Sequence, residues 1–400
     1  MSKLLVDEIS NADNTGPVTV TDGLIGDVTG TLTGNVTGNL TGNVTGNING
    51  LTPQASNMQP HNLIINGAMN VAQRGTSVSG VTSSGYNSCD RYKCNGNNGT
   101  WTISQDTDAP AGFSNSFKML LTATETIGNT SYWMLEQKIE GQNLQQLSYG
   151  TSDAKTVTLS FYVKSNVTGT YCVDLYQDDG SFNFPVTYTI DTADTWEYKT
   201  IVFVGNTATA LDNDNDTSLR TSFFVVAGSD YTSGTAGERA AYSDATFAAG
   251  HTAQVDAVND YWQITGVQLE AGSTASSFAH ENVGDTLQKC QRYYQKYTFA
   301  AGTVITIGQC HSDTAVVGSF QLNQEMRATP SITIPSAEWN VMSFLDAASN
   351  WPPTFGSISA SNISNINFKF SQGGASGYAE GNASWLYPAI TVNILANAEL

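Results

Sequence analysis

Charged residues are scarce in this 400-residue chain, and basic residues are scarcest of all. Only 13% of the residues are charged, against about 25% in ordinary soluble domains. The 16 Lys and Arg residues are scattered among 35 Asp and Glu residues, which gives a formal net charge of −19. Nucleic acids and anionic membrane surfaces both require a basic footprint on their protein partner. The charge therefore argues against both as partners, and it is compatible with neutral glycans or simply with solubility.

Cysteines and long apolar runs are also scarce. A sparse, odd set of five cysteines does not make a disulfide framework. Cys89 and Cys94 are spaced CxxxxC without a nearby histidine, which is not typical of a zinc site. No stretch reaches the roughly 18 apolar residues of a membrane-spanning helix, and residues 1–14 lack the apolar region of a signal peptide. We expect reduced thiols, no membrane insertion, and a particle that is assembled in the cytosol and released by lysis.

The sequence is instead rich in glycine, asparagine and threonine, which concentrate in a four-residue repeat. Its six consecutive units are GDVT, GTLT, GNVT, GNLT, GNVT and GNIN. Because side chains alternate along a strand, the aliphatic third positions all lie on one face of an extended chain. A helix is excluded, since each interior glycine would destabilise it by about 1 kcal/mol. The aliphatic residues are Val28, Leu32, Val36, Leu40, Val44 and Ile48.

A single such ribbon has nothing in its own chain to cover its aliphatic row. Identical copies wound around one axis would bury the row and leave Asn and Thr outside. Residues 26–50 therefore predict the shaft of an oligomeric fibre, and threefold closure suits one narrow apolar row per chain. We expect a homotrimer in which residues 1–25 attach the shaft to a larger particle.

Beyond the repeat, short apolar or aromatic runs alternate with turns rich in Gly, Asp and Asn. Over residues 61–282 this pattern predicts an antiparallel jelly-roll β-sandwich. Apolar residues then recur at three- and four-residue spacing, which predicts a connecting helix over 283–297. Residues 298–400 return to strand patterns and predict a C-terminal β tip domain. The expected fold class is all-β.

Four separated segments carry a family resemblance. They are NLIINGAMNVAQRGTS (62–77) with DRY (90–92), the run from WQITGVQLE to CQRYYQKY (262–297), MRATPSI (326–332), and ANAEL (396–400). In this order they resemble the receptor-binding fibre domains of tailed bacteriophages. The repeat is similar in composition to shafts of structural fibres in marine cyanobacterial phages. Two departures are Tyr92, where the family more often has Trp, and Asn397, where Asp is common.

The resemblance implies a virion fibre that contacts a host surface. Within that family the fold is shared more widely than the ligand, so it names no receptor. It implies attachment through the N-terminus to a tail, baseplate or neck protein, and a host-surface glycan or receptor as partner. A non-adhesive structural or decoration fibre of the collar or capsid is the alternative, and a polysaccharide depolymerase is a further one.

Motifs for catalysis and metal binding are missing or incomplete. None of the four histidines lies in HExxH, and no GxSxG is present. Asp178 and Asp179 could serve as paired glycosidase acids, but their sequence, QDDGS, favours a turn. The run from Asp212 to Asp216 begins like a calcium loop, yet Thr217 replaces the required glycine. We predict no enzyme activity, cofactor or metal, with a structural calcium ion at 212–216 as the alternative to a solvated turn.

Aromatic side chains are the strongest candidates for ligand binding. Sugars are bound by ring faces together with a few placed polar groups. In the tip domain, loop-like segments hold the glycan-binding candidates Trp339, Trp351, Tyr378 and Trp385. Core or intersubunit packing is the alternative for each of them. In the sandwich, the strand pattern predicts a core position for Trp262. Candidates for lining a sandwich groove are Trp101, Trp133 and Trp196.

Overall fold

Antiparallel strands dominate the protein. The computed structural model describes residues 62–312, 315–335, 339–343, 358–361, 363–364, 366–373 and 380–400. This part holds 23 strands and two α-helices. The attachment segment 1–25 and the repeat shaft 26–50 lie outside the described residues. None of the described helices is long and apolar enough to cross a membrane.

The first fourteen strands build a two-sheet sandwich. Their bounds are β1 (Ser77–Val81), β2 (Gly85–Tyr86), β3 (Lys93–Gly96), β4 (Thr100–Asp106), β5 (Ser116–Ala123), β6 (Tyr132–Glu140), β7 (Val157–Ser165), β8 (Gly169–Gln177), β9 (Phe182–Asn183), β10 (Pro185–Ile190), β11 (Glu197–Phe203), β12 (Thr217–Ala227), β13 (Ala240–Ala241) and β14 (Tyr261–Ala271). Sheet I has the order β1-β4-β5-β14-β7-β11. Sheet II has the order β13-β9-β8-β12-β6-β3-β2, with β10 beside β8.

The strand order is that of a jelly roll. In sheet I, β14 lies between β5 and β7, while in sheet II, β12 lies between β6 and β8. This nested antiparallel pairing is the double winding of that fold. Alternation along each strand places the core: on β7, Leu159, Phe161 and Val163 are buried, whereas Tyr162 and Lys164 reach the outer face. The predicted all-β class with an antiparallel β-sandwich is confirmed.

The core between the two sheets is built around tryptophans. Trp101 on β4 and Trp133 on β6 are fully buried, and their rings stack at 5.2 Å between centroids with an interplanar angle of 11°. The prediction that these two residues line a groove is therefore wrong: they bridge the sheets inside the core. Trp262 on β14 is also fully buried, which confirms its predicted core position.

The helices are α1 (Ser229–Thr232) and α2 (Val283–Gln291). Helix α2 begins where predicted, because the Asn282 side chain accepts a hydrogen bond of 2.9 Å from the Gly284 amide. The predicted extent of 283–297 is wrong at its end. From Tyr294 onward the chain pairs with a later strand, and its Tyr, Thr and Phe residues favour that conformation.

Nine further strands follow α1 and α2 in the chain. They are β15 (Tyr294–Phe299), β16 (Thr306–Ser312), β17 (Ala315–Gln321), β18 (Ser331–Thr333), β19 (Trp339–Ser343), β20 (Ile358–Ser361), β21 (Asn367–Gly373), β22 (Ala383–Pro388) and β23 (Val392–Asn397). Sheet III is β15-β23-β18, and sheet IV is β19-β22-β16-β17-β21-β20. A second hydrophobic cluster lies here, with Cys310, Met326 and Ile394 among its members. The domain boundaries at 282 and 298 stay a prediction.

An ion cluster joins the C-terminal strand to the sandwich. The guanidinium of Arg91 lies 3.4 Å from the ring centroid of Tyr293, donates to the Glu399 carboxylate, and donates to the carbonyl oxygen of Lys138 at 2.7 Å. Arg91 and Glu399 are both nearly fully buried. Because a buried charge is costly without a partner, this pairing is a condition of the fold rather than a free binding site.

Arg74 repeats the arrangement beside it. Its guanidinium lies 3.6 Å from the ring centroid of Tyr294 and donates to Glu399 at 3.2 Å. The Tyr86 hydroxyl donates to the carbonyl oxygen of Leu400 at 2.9 Å. Three of the four motif segments thus meet in one cluster. They are the segment with QRG and DRY (62–77 and 90–92), the one that ends in RYYQKY (262–297), and ANAEL (396–400). We infer that these motif residues hold the fold together.

Candidate functional site

The structure places two of the four predicted tip aromatics in one sheet. Trp339 begins β19, where its backbone is paired with Pro388 of β22, and Trp385 lies within β22. Trp351 and Tyr378 lie outside the described residues.

Trp385 is half buried. Its neighbour Leu386 belongs to the hydrophobic cluster of the C-terminal sheets, so alternation puts Trp385 on the other face of sheet IV. Directly opposite on β16 stands Ile307, which is 67% exposed. A tip site around the four aromatics stays a prediction.

The carboxylates singled out in the sequence make local structural contacts. Asp178 and Asp179 lie in the predicted turn after β8. Asp178 accepts two hydrogen bonds from the Arg220 guanidinium, at 2.6 and 3.2 Å, while Asp179 accepts one from the Asp212 amide at 3.0 Å. These contacts hold the turn against the 212 loop and strand β12.

The 212–216 loop faces the C-terminal part of the chain. Asp216 lies 3.5 Å from the Arg327 guanidinium, and the Asn215 amide donates to the carbonyl oxygen of Arg327 at 2.5 Å. Within the described ranges, no group of three or more His, Cys, Asp or Glu side chains converges as a metal site would require. All five cysteines are buried and unpaired.

The outer face of sheet I carries an aromatic surface. We call its six aromatic side chains the aromatic face, and each except Trp196 has its ring in contact with another of them. They are Phe113, Tyr162, Trp196, Tyr198, Phe278 and His280. Strand register creates the centre of this face, because Tyr198 of β11 lies directly opposite Tyr162 of β7. Their ring centroids are 4.9 Å apart. Tyr198 remains 47% exposed at the edge of the sheet.

Loops extend the aromatic face beyond the strands. Phe113, from the loop before β5, lies 5.5 Å from the Tyr162 ring, and Phe278, from the segment after β14, lies 5.0 Å from Phe113. His280 is 4.9 Å from Phe278. A bulge in β14 makes room for this packing: Gly266 has φ +62°, and a Cβ there would approach the Phe113 ring to 2.7 Å.

Polar groups lie beside the rings. Asp108 accepts hydrogen bonds from Lys164 at 2.7 Å and from the Trp196 indole at 3.1 Å. Partial burial works against ionisation, but these two donors hold the pKa of Asp108 below its ordinary value. The Asp108 side chain is still 43% exposed. Near neutral pH the surface therefore offers ring faces together with a carboxylate and an ammonium group.

This combination is suited to binding. Ring faces stack on the C–H patches of a sugar, while a carboxylate and an ammonium group orient its hydroxyls. The surface is open along the edge strand β11, where Val202 is also 46% exposed. An open face of this kind accommodates a polymer chain better than a small enclosed ligand.

Sequence patterns predict this surface only in part. Trp196 is one of the three groove candidates, and unlike Trp101 and Trp133 it lies outside the core. The outward positions of Tyr162 and Tyr198 follow from strand alternation. Phe113 and Phe278 come from loops 165 residues apart in the chain, so no local pattern could predict that they meet.

Comparisons with known proteins do not assign a family. No family model matches the sequence, and no curated protein matches it. Among solved structures, the enzymatically active domain of bacteriophage CBA120 tailspike protein 4 is 13% identical with a TM-score of 0.30, and the match covers 53% of this chain and 21% of that one. This chain therefore spans about a fifth of the tailspike domain.

Two carbohydrate-binding modules are also similar in structure. A family 30 module is 10% identical with a TM-score of 0.27, covering 57% of this chain and 95% of its own. The family 11 module of a Clostridium thermocellum cellulosomal cellulase is 13% identical with a TM-score of 0.21, covering 50% and 91%. At these TM-scores the similarities do not decide the function of this chain.

Proposed function

We propose that this protein is a structural fibre of a tailed-phage virion that binds host-surface carbohydrate on the aromatic face. The observation that carries the adhesive role is a partly exposed array of five contacting rings, flanked by Trp196 and the Asp108–Lys164 pair. The phage assignment is supported by the motif segments and by the repeat of residues 26–49. Attachment through residues 1–25 to a tail, baseplate or neck protein belongs to the same proposal.

The ligand class follows from charge and shape. A net charge of −19 repels polyanions at low ionic strength, whereas a neutral or weakly charged glycan is not affected. A shallow face makes few contacts to each sugar, so a single site binds weakly. Three copies on one fibre raise the effective affinity by orders of magnitude without new contacts. We therefore propose a surface polysaccharide as the ligand and a homotrimer as the working unit.

Replacing Tyr198 by alanine tests the adhesive surface. Removal of a central ring should weaken binding by about 1–2 kcal/mol, or about 5- to 30-fold. Binding of the full-length chain to an array of bacterial surface polysaccharides measures the loss. Tyr242→Ala is the matched control, because Tyr242 is also 47% exposed but follows β13 of sheet II. Equal binding by the two variants, or no array binding by the wild-type chain, contradicts adhesion through this face.

The same assay distinguishes adhesion through the tip aromatics from adhesion through the aromatic face. If Trp351→Ala and Trp385→Ala lower array binding while Tyr198→Ala does not, adhesion belongs to the tip. A fibre of the collar or capsid without an adhesive role binds none of the polysaccharides. A depolymerase instead releases reducing ends from the polysaccharide it binds.

Substitutions in the repeat test trimer assembly. Val36→Asn with Leu40→Asn places two amides in the aliphatic row of the predicted shaft, and we expect the trimer to dissociate partly or fully. Thr37→Asn with Thr41→Asn, on the opposite face of the extended repeat, should leave it intact. Light scattering on a sizing column gives the masses. A wild-type monomer contradicts the fibre proposal, and an unaffected trimer moves the assembly determinant into the β-domains.

A further inference from the structure

A concave site lies between helix α2 and one end of the sandwich. The cleft has a volume of about 710 Å³, which falls within the roughly 300–1,000 Å³ typical of ligand sites. Helix α2 and its C-terminal cap form one wall, and the turn that follows β6 forms the other. Leu63 and Ile139 contribute apolar surface. None of the predicted glycan-binding residues lines this cleft.

Helical spacing explains the polar wall. Asp285, Gln288 and Arg292 recur at i, i+3 and i+7, which places them on one face of α2 and its cap. Thr286 and Cys290 point the other way and are buried against the protein. The helix thus packs through its small residues and presents its amide and charged side chains to the cleft.

Partly buried hydrogen bonds hold the cap of α2 and the β6 side of the cleft in place. Arg292 donates to the two carboxylate oxygens of Glu140 at 3.0 and 2.8 Å, and the Glu140 side chain is fully buried. Gln137 exchanges two hydrogen bonds with the Ile65 backbone, at 2.7 and 2.9 Å. The cleft is therefore preformed, which lowers the ordering cost of binding a ligand.

Several polar groups in the cleft have no role in holding it. Among the residues that the structure describes, no protein atom forms a hydrogen bond with the side chains of Asn143, Asp285 or Gln288. Asn143 stands on the turn after β6, and the other two stand on α2. Two facing walls thus offer amide and carboxylate groups that are free to accept from and donate to a ligand.

The charges of the cleft indicate a neutral ligand. Lys289 is paired with Glu281, and Arg292 is paired with Glu140. The remaining cation, Lys138, is balanced in formal charge by Asp285. Free amides and a carboxylate recognise hydroxyl groups, and the apolar patches accommodate C–H surfaces. We propose that the cleft binds a neutral oligosaccharide, as a second carbohydrate site beyond the one in the proposed function.

Isothermal titration of the full-length chain with neutral hexasaccharides tests this site. Maltohexaose, cellohexaose, xylohexaose and mannohexaose serve as probes at millimolar concentration. We expect at least one to bind, and Asn143→Ala with Gln288→Ala to weaken it at least tenfold. Asn129→Ala, an exposed amide in a loop outside the cleft, is the matched control and should change nothing. Failure of all four probes to bind, or unchanged binding by the double variant, overturns the proposal.

A second measurement guards against a general effect on folding. Crystals soaked in the bound hexasaccharide should show it in the cleft, against Asn143 and Gln288. Density only at the aromatic face overturns the proposal. Tyr198→Ala separates the two sites: it should lower polysaccharide binding on the array and leave hexasaccharide binding unchanged. If hexasaccharide binding falls with Tyr198→Ala and survives the cleft double variant, the cleft proposal fails and the proposed function stands.

Discussion

Replacing Arg91 by methionine is expected to lower the free energy of unfolding by about 3–5 kcal/mol, because it leaves a buried carboxylate without its main partner. Methionine fills much of the arginine stem but cannot donate to Glu399 or to the carbonyl oxygen of Lys138. It also loses the cation–π contact with Tyr293. Glu399 would keep only the longer contact to Arg74. Urea denaturation followed by tryptophan fluorescence measures the change.

Two further variants separate buried pairing from a general effect of charge. Arg91→Met combined with Glu399→Gln should be less destabilised than the sum of the single variants, since no buried charge is then left alone. Lys289→Met removes a surface pair with Glu281 and should cost less than about 1 kcal/mol. A loss in Arg91→Met as small as that in Lys289→Met would mean that the cluster does not hold the fold.

Truncation of either stacked core tryptophan is expected to cost about 3–5 kcal/mol, because each leaves a large cavity between the sheets. The phenylalanine variants should differ from each other. The Trp101 indole donates to the carbonyl oxygen of Asn98 at 2.7 Å, so Trp101→Phe leaves that oxygen unpaired. The buried Trp133 indole nitrogen has no hydrogen-bond partner among the described residues. Trp133→Phe therefore removes an unsatisfied donor, which offsets part of the cavity cost.

We expect Trp101→Phe to be more destabilising than Trp133→Phe by about 1–2 kcal/mol. Chemical denaturation of both variants under one set of conditions provides the comparison, with both alanine variants as the reference for full loss of the ring. The reverse order of the two phenylalanine variants would show that ring shape, rather than hydrogen bonding, decides stability at this stack.

The strands of the sandwich could be predicted because side chains alternate along each of them. Features that depend on pairing with a distant segment, such as the end of α2, could not. Runs such as 156–165 and 261–270 show their β character locally, and the core position of Trp262 follows from that pattern. The end of α2 does not follow from the local pattern. Tyr294 fits the helical spacing, but in the structure it pairs with β23 as a strand residue. Local periodicity cannot weigh a helix against a strand partner about 100 residues away.

The candidate surfaces were less accessible to sequence reasoning. The sequence shows which residues are aromatic but not which of them are buried. Trp101 belongs to the core, whereas Trp196 does not. The cleft depends on side chains such as Asn143 and Gln288, which lie on separate elements and belong to no motif. Motif residues such as Arg91 pointed to a family, and their contacts showed a structural role.

Because β15 pairs with β23, residues 300–391 form an insertion between two neighbouring strands of sheet III. Phe299 lies directly opposite Val392, so the chain leaves sheet III and returns to it at adjacent positions. Antiparallel neighbours of this kind are only about 4.5–5.5 Å apart, a gap that a short turn can close. A short turn could therefore rejoin the flanking strands if the segment were exchanged, and the new segment would have to replace β18, which pairs with β23. An exchange of this segment would keep the aromatic face of the sandwich and the Arg91–Glu399 pair in the retained part of the chain.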